Sequence, residues 1–293
     1  MDILLSGGHF YEGARWHAGH FWVSDLYAGQ VLKVTPDGAA EVVVQLDDQP
    51  SGLGWLPDGT LLVVGMKSRS VWKCAEGRAP VLHADITDLT GGFANDMVVD
   101  RAGRAYVSNL GFDLFAGAPP ATTALVRVDP DGGSCVVGGK LQFPNGLVVS
   151  PDGKTLIVAE TFGGRLSAFD IAPDGSLSGQ RCWAQFGREP SWATLHGLLD
   201  TDFAPDGCAV DAEGCVWVAD ALGARVVRLA DGGELREEIK APDGLGLYSC
   251  ALGGPDGRTL VLCTAPDFSD VNRKAAREAV LHTIRVAVPA ADY

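Results

Sequence analysis

The chain has 293 residues, 46% of them hydrophobic and 20% charged, with a formal net charge of −14 and a pI near 4.7. That apolar content is enough for a large buried core, while the acidity repels phosphate backbones and anionic lipid headgroups, so nucleic acid and membrane are excluded as partners and a bound cation is favoured. No run approaches the roughly 18 apolar residues of a spanning helix. The first residues lack the basic and apolar regions of a secretory leader, and the seven cysteines are scattered without a C-x-x-C pair; they read as buried thiols in a reducing compartment, and the sequence predicts a cytoplasmic protein.

In chain order, the opening MDILL reads as a strand without a hairpin partner. One pattern then recurs six times: a polar residue, a short apolar run, a turn containing Gly, and a second apolar run. It starts at Glu12 (EGARWHAGHFWVSD), Ser51 (SGLGWLPDGTLLVVG), Asn95 (NDMVVDRAGRAYVSN), Asn145 (NGLVVSPDGKTLIVAE), Asp206 (DGCAVDAEGCVWVAD) and Ser249 (SCALGGPDGRTLVLCT). In five copies the turn glycine (Gly59, Gly103, Gly153, Gly214, Gly257) follows the leading polar residue by eight positions, and Gly19 follows Glu12 by seven. A second hairpin follows the first five copies, from Val31, Trp72, Leu125, Leu166 and Val226.

Two hairpins give four antiparallel strands in about 45 residues, the size of a propeller blade. The sequence therefore predicts an all-β, six-bladed β-propeller spanning 1–293 as a single domain. The last copy has only one late strand, near 280–288, and pairing it with MDILL would complete blade six and remove an open sheet edge. The helix signal is confined to 270–277. An open sandwich of repeated hairpins is the competing architecture.

The first strand of each blade lines the central channel, so the leading residues of the six copies should surround one mouth. Glu12, Ser51, Asn95, Asn145, Asp206 and Ser249 all carry a side-chain oxygen, and two are carboxylates. Strand starts favour such residues in any case, and a hydrogen-bonded polar plug is one reading. Close carboxylates repel, however, and a cation between them resolves the conflict. Oxygen donors with neutral amides suit hard ions, with Ca²⁺ first for its tolerance of irregular coordination, and Mn²⁺, Mg²⁺, Zn²⁺ and Fe²⁺ as alternatives. Asp25, Asn109, Glu160 and Asp220 end the second strands at the same end and are expected to form either a rim or a supporting layer behind the ligands, orienting ligands or binding substrate hydroxyls. Two long connections, 110–123 and 186–205, offer Phe112, Phe115, Trp192 and His196 as pocket walls.

Four ordered motifs, EGARW at 12–16, NDMVVD at 95–100, FPNGLVVSPDGKTLIVAET at 143–161 and PDGCAVDAEGCVWVAD at 205–220, resemble the gluconolactonase/SMP-30 (regucalcin) family over essentially the whole chain. The resemblance implies a six-bladed propeller whose divalent cation is bound by Glu12, Asn145 and Asp206. It also implies that Asn95 contacts the metal, directly or through water, or the substrate. Sugar-lactone members of the family carry an Arg two residues before that Asn, where this chain has Phe93; an aromatic face in place of a guanidinium favours a substrate less polar than gluconolactone.

The expected activity is metal-dependent hydrolysis of a lactone or related cyclic ester, with Asp206 as general base, acting on a small-molecule substrate in a monomer or weak homo-oligomer. The alternatives are phosphotriester hydrolysis, a non-hydrolytic reaction and a non-catalytic calcium-binding propeller.

Overall fold

The computed structural model describes residues 1–291. After β1 (Asp2–Gly8), four-stranded antiparallel sheets follow one another along the chain. Blade one holds β2 (Tyr11–His17), β3 (His20–Asp25), β4 (Gln30–Val34) and β5 (Ala40–Gln45). Blade two holds β6 (Pro50–Trp55), β7 (Leu61–Gly65), β8 (Ser70–Cys74) and β9 (Val81–Asp85). Blade three holds β10 (Ala94–Val99), β11 (Ala105–Asn109), β12 (Thr123–Val128) and β13 (Ser134–Leu141). Blade four holds β14 (Pro144–Val149), β15 (Thr155–Glu160), β16 (Arg165–Ile171) and β17 (Leu177–Gln185). Blade five holds β18 (Pro205–Val210), β19 (Val216–Asp220), β20 (Arg225–Leu229) and β21 (Leu235–Lys240). Blade six holds β22 (Gly246–Gly253), β23 (Thr259–Ala265) and β24 (Ala279–Arg285), and its outermost strand is β1, which pairs antiparallel with β24 from Asp2↔Thr283 to Gly8↔Ala279. The expected closure by the two ends of the chain is thus present.

The innermost strands β2, β6, β10, β14, β18 and β22 pack successively around the axis, and β22 meets β2. Neighbouring blades stack face to face, so their inner strands bury both faces. This is why β7 (LLVVG) is apolar throughout, whereas the outermost β21 (LREEIK) is charged and almost wholly exposed. Each of the six seams between blades has its own apolar core. The seam between blades six and one, where the ring closes, packs Phe21, Val261 and Leu281. The turn glycines anticipated from the sequence all have positive φ, from 70° at Gly257 to 85° at Gly59, which L side chains rarely adopt.

Helix is scarce. The expected helical segment is α2 (Asp270–Ala275), capped by Ser269, whose side chain accepts from the Asn272 N–H. A further short helix, α1 (Leu195–Leu198), lies in the long connection between β17 and β18 and was not anticipated; Thr194 caps it by accepting from the Gly197 N–H. Four apolar or neutral residues give too little periodicity to read.

At the channel mouth the inner strands come closer than a side chain allows. A Cβ on Gly146 would stand 2.5 Å from the Asp206 carbonyl oxygen, and one on Gly207 would stand 2.4 Å from Ser249 Oγ. Gly146→Ala is therefore expected to destabilise the fold by about 1–3 kcal/mol. Chemical denaturation checks this, and an unchanged midpoint would mean that the strands can part freely.

Candidate metal and substrate site

The six leading residues occupy irregularities in their strands. In blades two to five the residue just before each one pairs with the neighbouring strand (Pro50↔Gly65, Ala94↔Asn109, Pro144↔Glu160, Pro205↔Asp220), and pairing resumes at Leu53, Met97, Leu147 and Cys208. Between them lie Ser51-Gly52, Asn95-Asp96, Asn145-Gly146 and Asp206-Gly207. In blade one the register shifts after Glu12, and in blade six it shifts between Leu247 and Ser249. Such bulges re-aim side chains. Here they recur at one level in every blade and bring Glu12, Asn145 and Asp206 to the floor of one cavity.

Asp206 and Asn145 are buried and Glu12 is half-buried. The Asn145 amide donates to Thr161 Oγ1 (3.3 Å), whose hydroxyl donates to the Pro205 carbonyl (2.8 Å), so that two ligand candidates are tied together through the backbone. Glu12 Oε2 accepts from the Gly13 N–H (3.1 Å). Asp206 Oδ1 is buried without a hydrogen-bond partner among the described residues. Just beneath, Arg15 donates to Asp96 Oδ1 and to the Met97 carbonyl (2.6 Å each), an ion pair reaching from blade one to blade three. Asn95 accepts from the Ser51 hydroxyl (3.3 Å).

Burial pushes the Glu12 carboxyl well above the usual carboxylate range, the charges of Asp206 and Asp96 push it further, and the Gly13 N–H and Arg15 oppose them. Asp206 is raised by burial and then by Asp96, against the Gly207 N–H and the Asn145 amide. Since Arg15 is engaged by Asp96, the Glu12–Asp206 pair and the orphaned Oδ1 make a place where a hard cation fits. Among the described residues no group of three His, Cys, Asp or Glu side chains could hold a metal unaided, so neutral oxygens, such as that of the Asn145 amide, would have to join the two carboxylates. All seven cysteines are free thiols. Cys208, Cys250 and Cys263, near this floor, are raised by burial, Cys250 to about 12, which keeps them protonated and unsuited as thiolate ligands.

Above the floor is a cavity of about 510 Å³, within the roughly 300–1,000 Å³ typical of small-molecule sites. Of the anticipated wall residues, His196 and Phe115 line it. Phe112 is buried behind Phe143 in an aromatic cluster with Trp192, whose indole N–H donates to the Phe162 carbonyl (3.0 Å). Both therefore support the wall without forming it. Phe93 is half-buried and stacks on Phe115 (5.6 Å between centroids). The inner wall consists of Phe10, Phe143, Phe162 and Tyr248, which the sequence reading missed. A signal existed: Phe10, Phe93 and Phe143 each stand two residues before a leading polar residue.

Of the two readings of the strand-end residues, the substrate-facing rim is corrected and the supporting layer is what the structure shows. Asp25, Asn109, Glu160 and Asp220 are buried and hold backbone instead of facing substrate. Asp25 accepts from the His9 and Phe10 N–H groups, Glu160 from Gln142 and Asp220 from Ala204. Each thereby fixes the segment leading into Glu12, Asn145 or Asp206. Asn109 accepts from the Gly111 N–H and the Thr123 hydroxyl. Loop N–H groups at a buried strand end need such acceptors, and a short polar side chain there supplies them.

The sequence profile described as "SMP-30/Gluconolactonase/LRE-like region" matches residues 10–266. The chain belongs to this family. Among its curated relatives, 6-deoxy-6-sulfogluconolactonase of Pseudomonas putida is 26% identical over 246 residues, covering 84% of this chain and 78% of that protein. Human regucalcin is 28% identical over 253 residues, covering 84% and 76%. Among solved structures, a calcium-binding regucalcin from Agrobacterium tumefaciens superimposes with a TM-score of 0.74 at 19% identity, covering 99% of this chain and 97% of that one, which shows the shared fold. Among the described residues no helix is long and apolar enough to cross a membrane.

A carboxyl held above its unfolded pKa of about 4 binds protons more tightly when folded, so its contribution turns destabilising as pH rises from that value toward the folded one. Asp206→Asn is therefore expected to raise the melting temperature of chelator-treated protein, by more at about pH 8 than at about pH 5. A lower melting temperature at both would contradict the charge repulsion described here.

Proposed function

We propose that the protein is a divalent-metal-dependent hydrolase that opens a lactone or related cyclic ester less polar than gluconolactone. The observation that carries this reading is the unpartnered, buried Asp206 Oδ1, gathered with Glu12 and Asn145 at one largely apolar cavity. The lactonase named among its family relatives supports the reaction class, and regucalcin supports Ca²⁺ as the ion. Glu12, Asn145 and Asp206 would hold the ion, with Asn95 in contact directly or through water. Once bound, the cation would supply Lewis-acid polarisation of the lactone carbonyl.

The chain's own groups do the rest. Asp206 accepts a proton from water as the water oxygen bonds to the carbonyl carbon. The ring C–O bond then breaks, and the departing alkoxide takes that proton back to leave a hydroxy acid. Asn95 positions substrate or water, and Thr161 holds the Asn145 amide in register. Phe143, Phe162 and Tyr248 exclude bulk water, and the absence of Lys or Arg among the described lining residues disfavours anionic or polyhydroxylated substrates.

The test is a lactone panel assayed with and without chelator. Activity should vanish on chelation and return with Ca²⁺ or Mn²⁺, and Asp206→Asn should lose about 10²–10⁴-fold in kcat. Full activity in that variant would remove Asp206 from the chemistry. Calcium-dependent stability with no turnover on any lactone would mark a binding propeller instead.

A further inference from the structure

We infer that the substrate is amphipathic: a lactone whose ring sits on the polar floor and whose apolar tail runs up the aromatic wall to the cavity rim. This rests on the hydrolase reading for the ring and on separate observations for the tail.

The wall begins on the chain segments that carry the floor. Phe10 and Phe143 precede Glu12 and Asn145 by two residues, Phe162 follows Thr161, and Tyr248 precedes Ser249. Apolar surface therefore starts immediately above the ligand candidates. It continues to the outside on Phe115, Leu199, Leu222 and Phe268, which all line the cavity and yet are 60%, 50%, 39% and 53% exposed. They come from four separate segments: the connection 110–123, the residue after α1, the turn between β19 and β20, and the approach to α2. Most other exposed large apolar residues are single side chains on outermost strands, such as Val42, Leu82, Val136 and Leu235. Scattered residues of that kind need no explanation, whereas a convergent apolar rim does.

Polar atoms lie on the floor, on His196 in the connection before β18, and at one edge, where Tyr27, Ser269 and Asp270 meet the cavity. A compact, hydroxylated lactone would leave the upper wall wet and find no Lys or Arg among the described lining residues to donate to its hydroxyls. A tail of alkyl or aryl carbon removes that surface from water.

The experiment uses the calcium-loaded full chain, a δ-lactone series with tails from methyl to octyl, gluconolactone, and the matching lactams as non-hydrolysable ligands. Both kcat/KM and lactam affinity should rise by about fourfold per methylene until the tail passes the rim. Phe115→Ser/Leu222→Ser should flatten the long-tail end of the series, with its smallest effect on the methyl lactone. Leu82→Ser, on the outer flank of blade two, should leave the whole series as in the wild type. Lactone turnover with no dependence on tail length, or with gluconolactone preferred, overturns the inference and spares the hydrolase reading. Lactams that bind more tightly with each methylene while no lactone is hydrolysed do the reverse. Neither turnover nor a length dependence in lactam binding removes both.

Discussion

Six inner strands reach one level of the channel with almost no space between them, and the rest of the site follows from that crowding. Behind four of the six leading polar residues stands a glycine. Added Cβ atoms at Gly13, Gly52, Gly146 and Gly207 would lie 2.2–2.5 Å from atoms of the neighbouring strand. The E-G, S-G, N-G and D-G pairs are thus packing requirements as much as chemical ones. The strand bulges turn the preceding side chains toward the axis. In the other two blades the glycine gives way to Asp96 and Cys250, and Asp96 fills its place by pairing with Arg15 from across the channel.

Convergence has an electrostatic consequence. Glu12 and Asp206 are brought together away from water, with the one nearby guanidinium already engaged; burial raises the proton affinity of both, Asp206 raises that of Glu12 further, and Asp96 raises both. Such local conflict persists only where the surrounding structure enforces it. Six seam cores hold the blades, and Asp25, Glu160 and Asp220 lock the segments that deliver Glu12, Asn145 and Asp206 by accepting their backbone N–H groups. The expense of assembling like charges is borne by parts of the fold that never touch a ligand.

Much of this was legible in the sequence because it repeats. The eight-residue spacing to each turn glycine exposed the blade count, the leading oxygens and, by what blade six lacked, the closure by β1. The bulges were invisible, since one extra residue in each inner strand leaves the period between copies unchanged. Asp25 and its counterparts stayed open between rim and support because a polar residue ending a strand looks the same whether it faces solvent or caps a buried loop. Phe112 and Trp192 were correctly placed in long loops near the mouth, but a linear pattern does not say which side of a loop packs inward. The Arg15–Asp96 pair joins positions 81 residues apart, and no local signal links them.

The central claim is that strand crowding gathers Glu12, Asn145 and Asp206 into a site for a single divalent ion. Calorimetric titration of Ca²⁺ into chelator-stripped protein tests it most directly. The account predicts one ion per chain in the wild type and loss of that binding in Asn145→Leu, which removes the amide oxygen and leaves both carboxylates. Absence of binding to the wild type, or binding that Asn145→Leu and Glu12→Gln both leave intact, would contradict it.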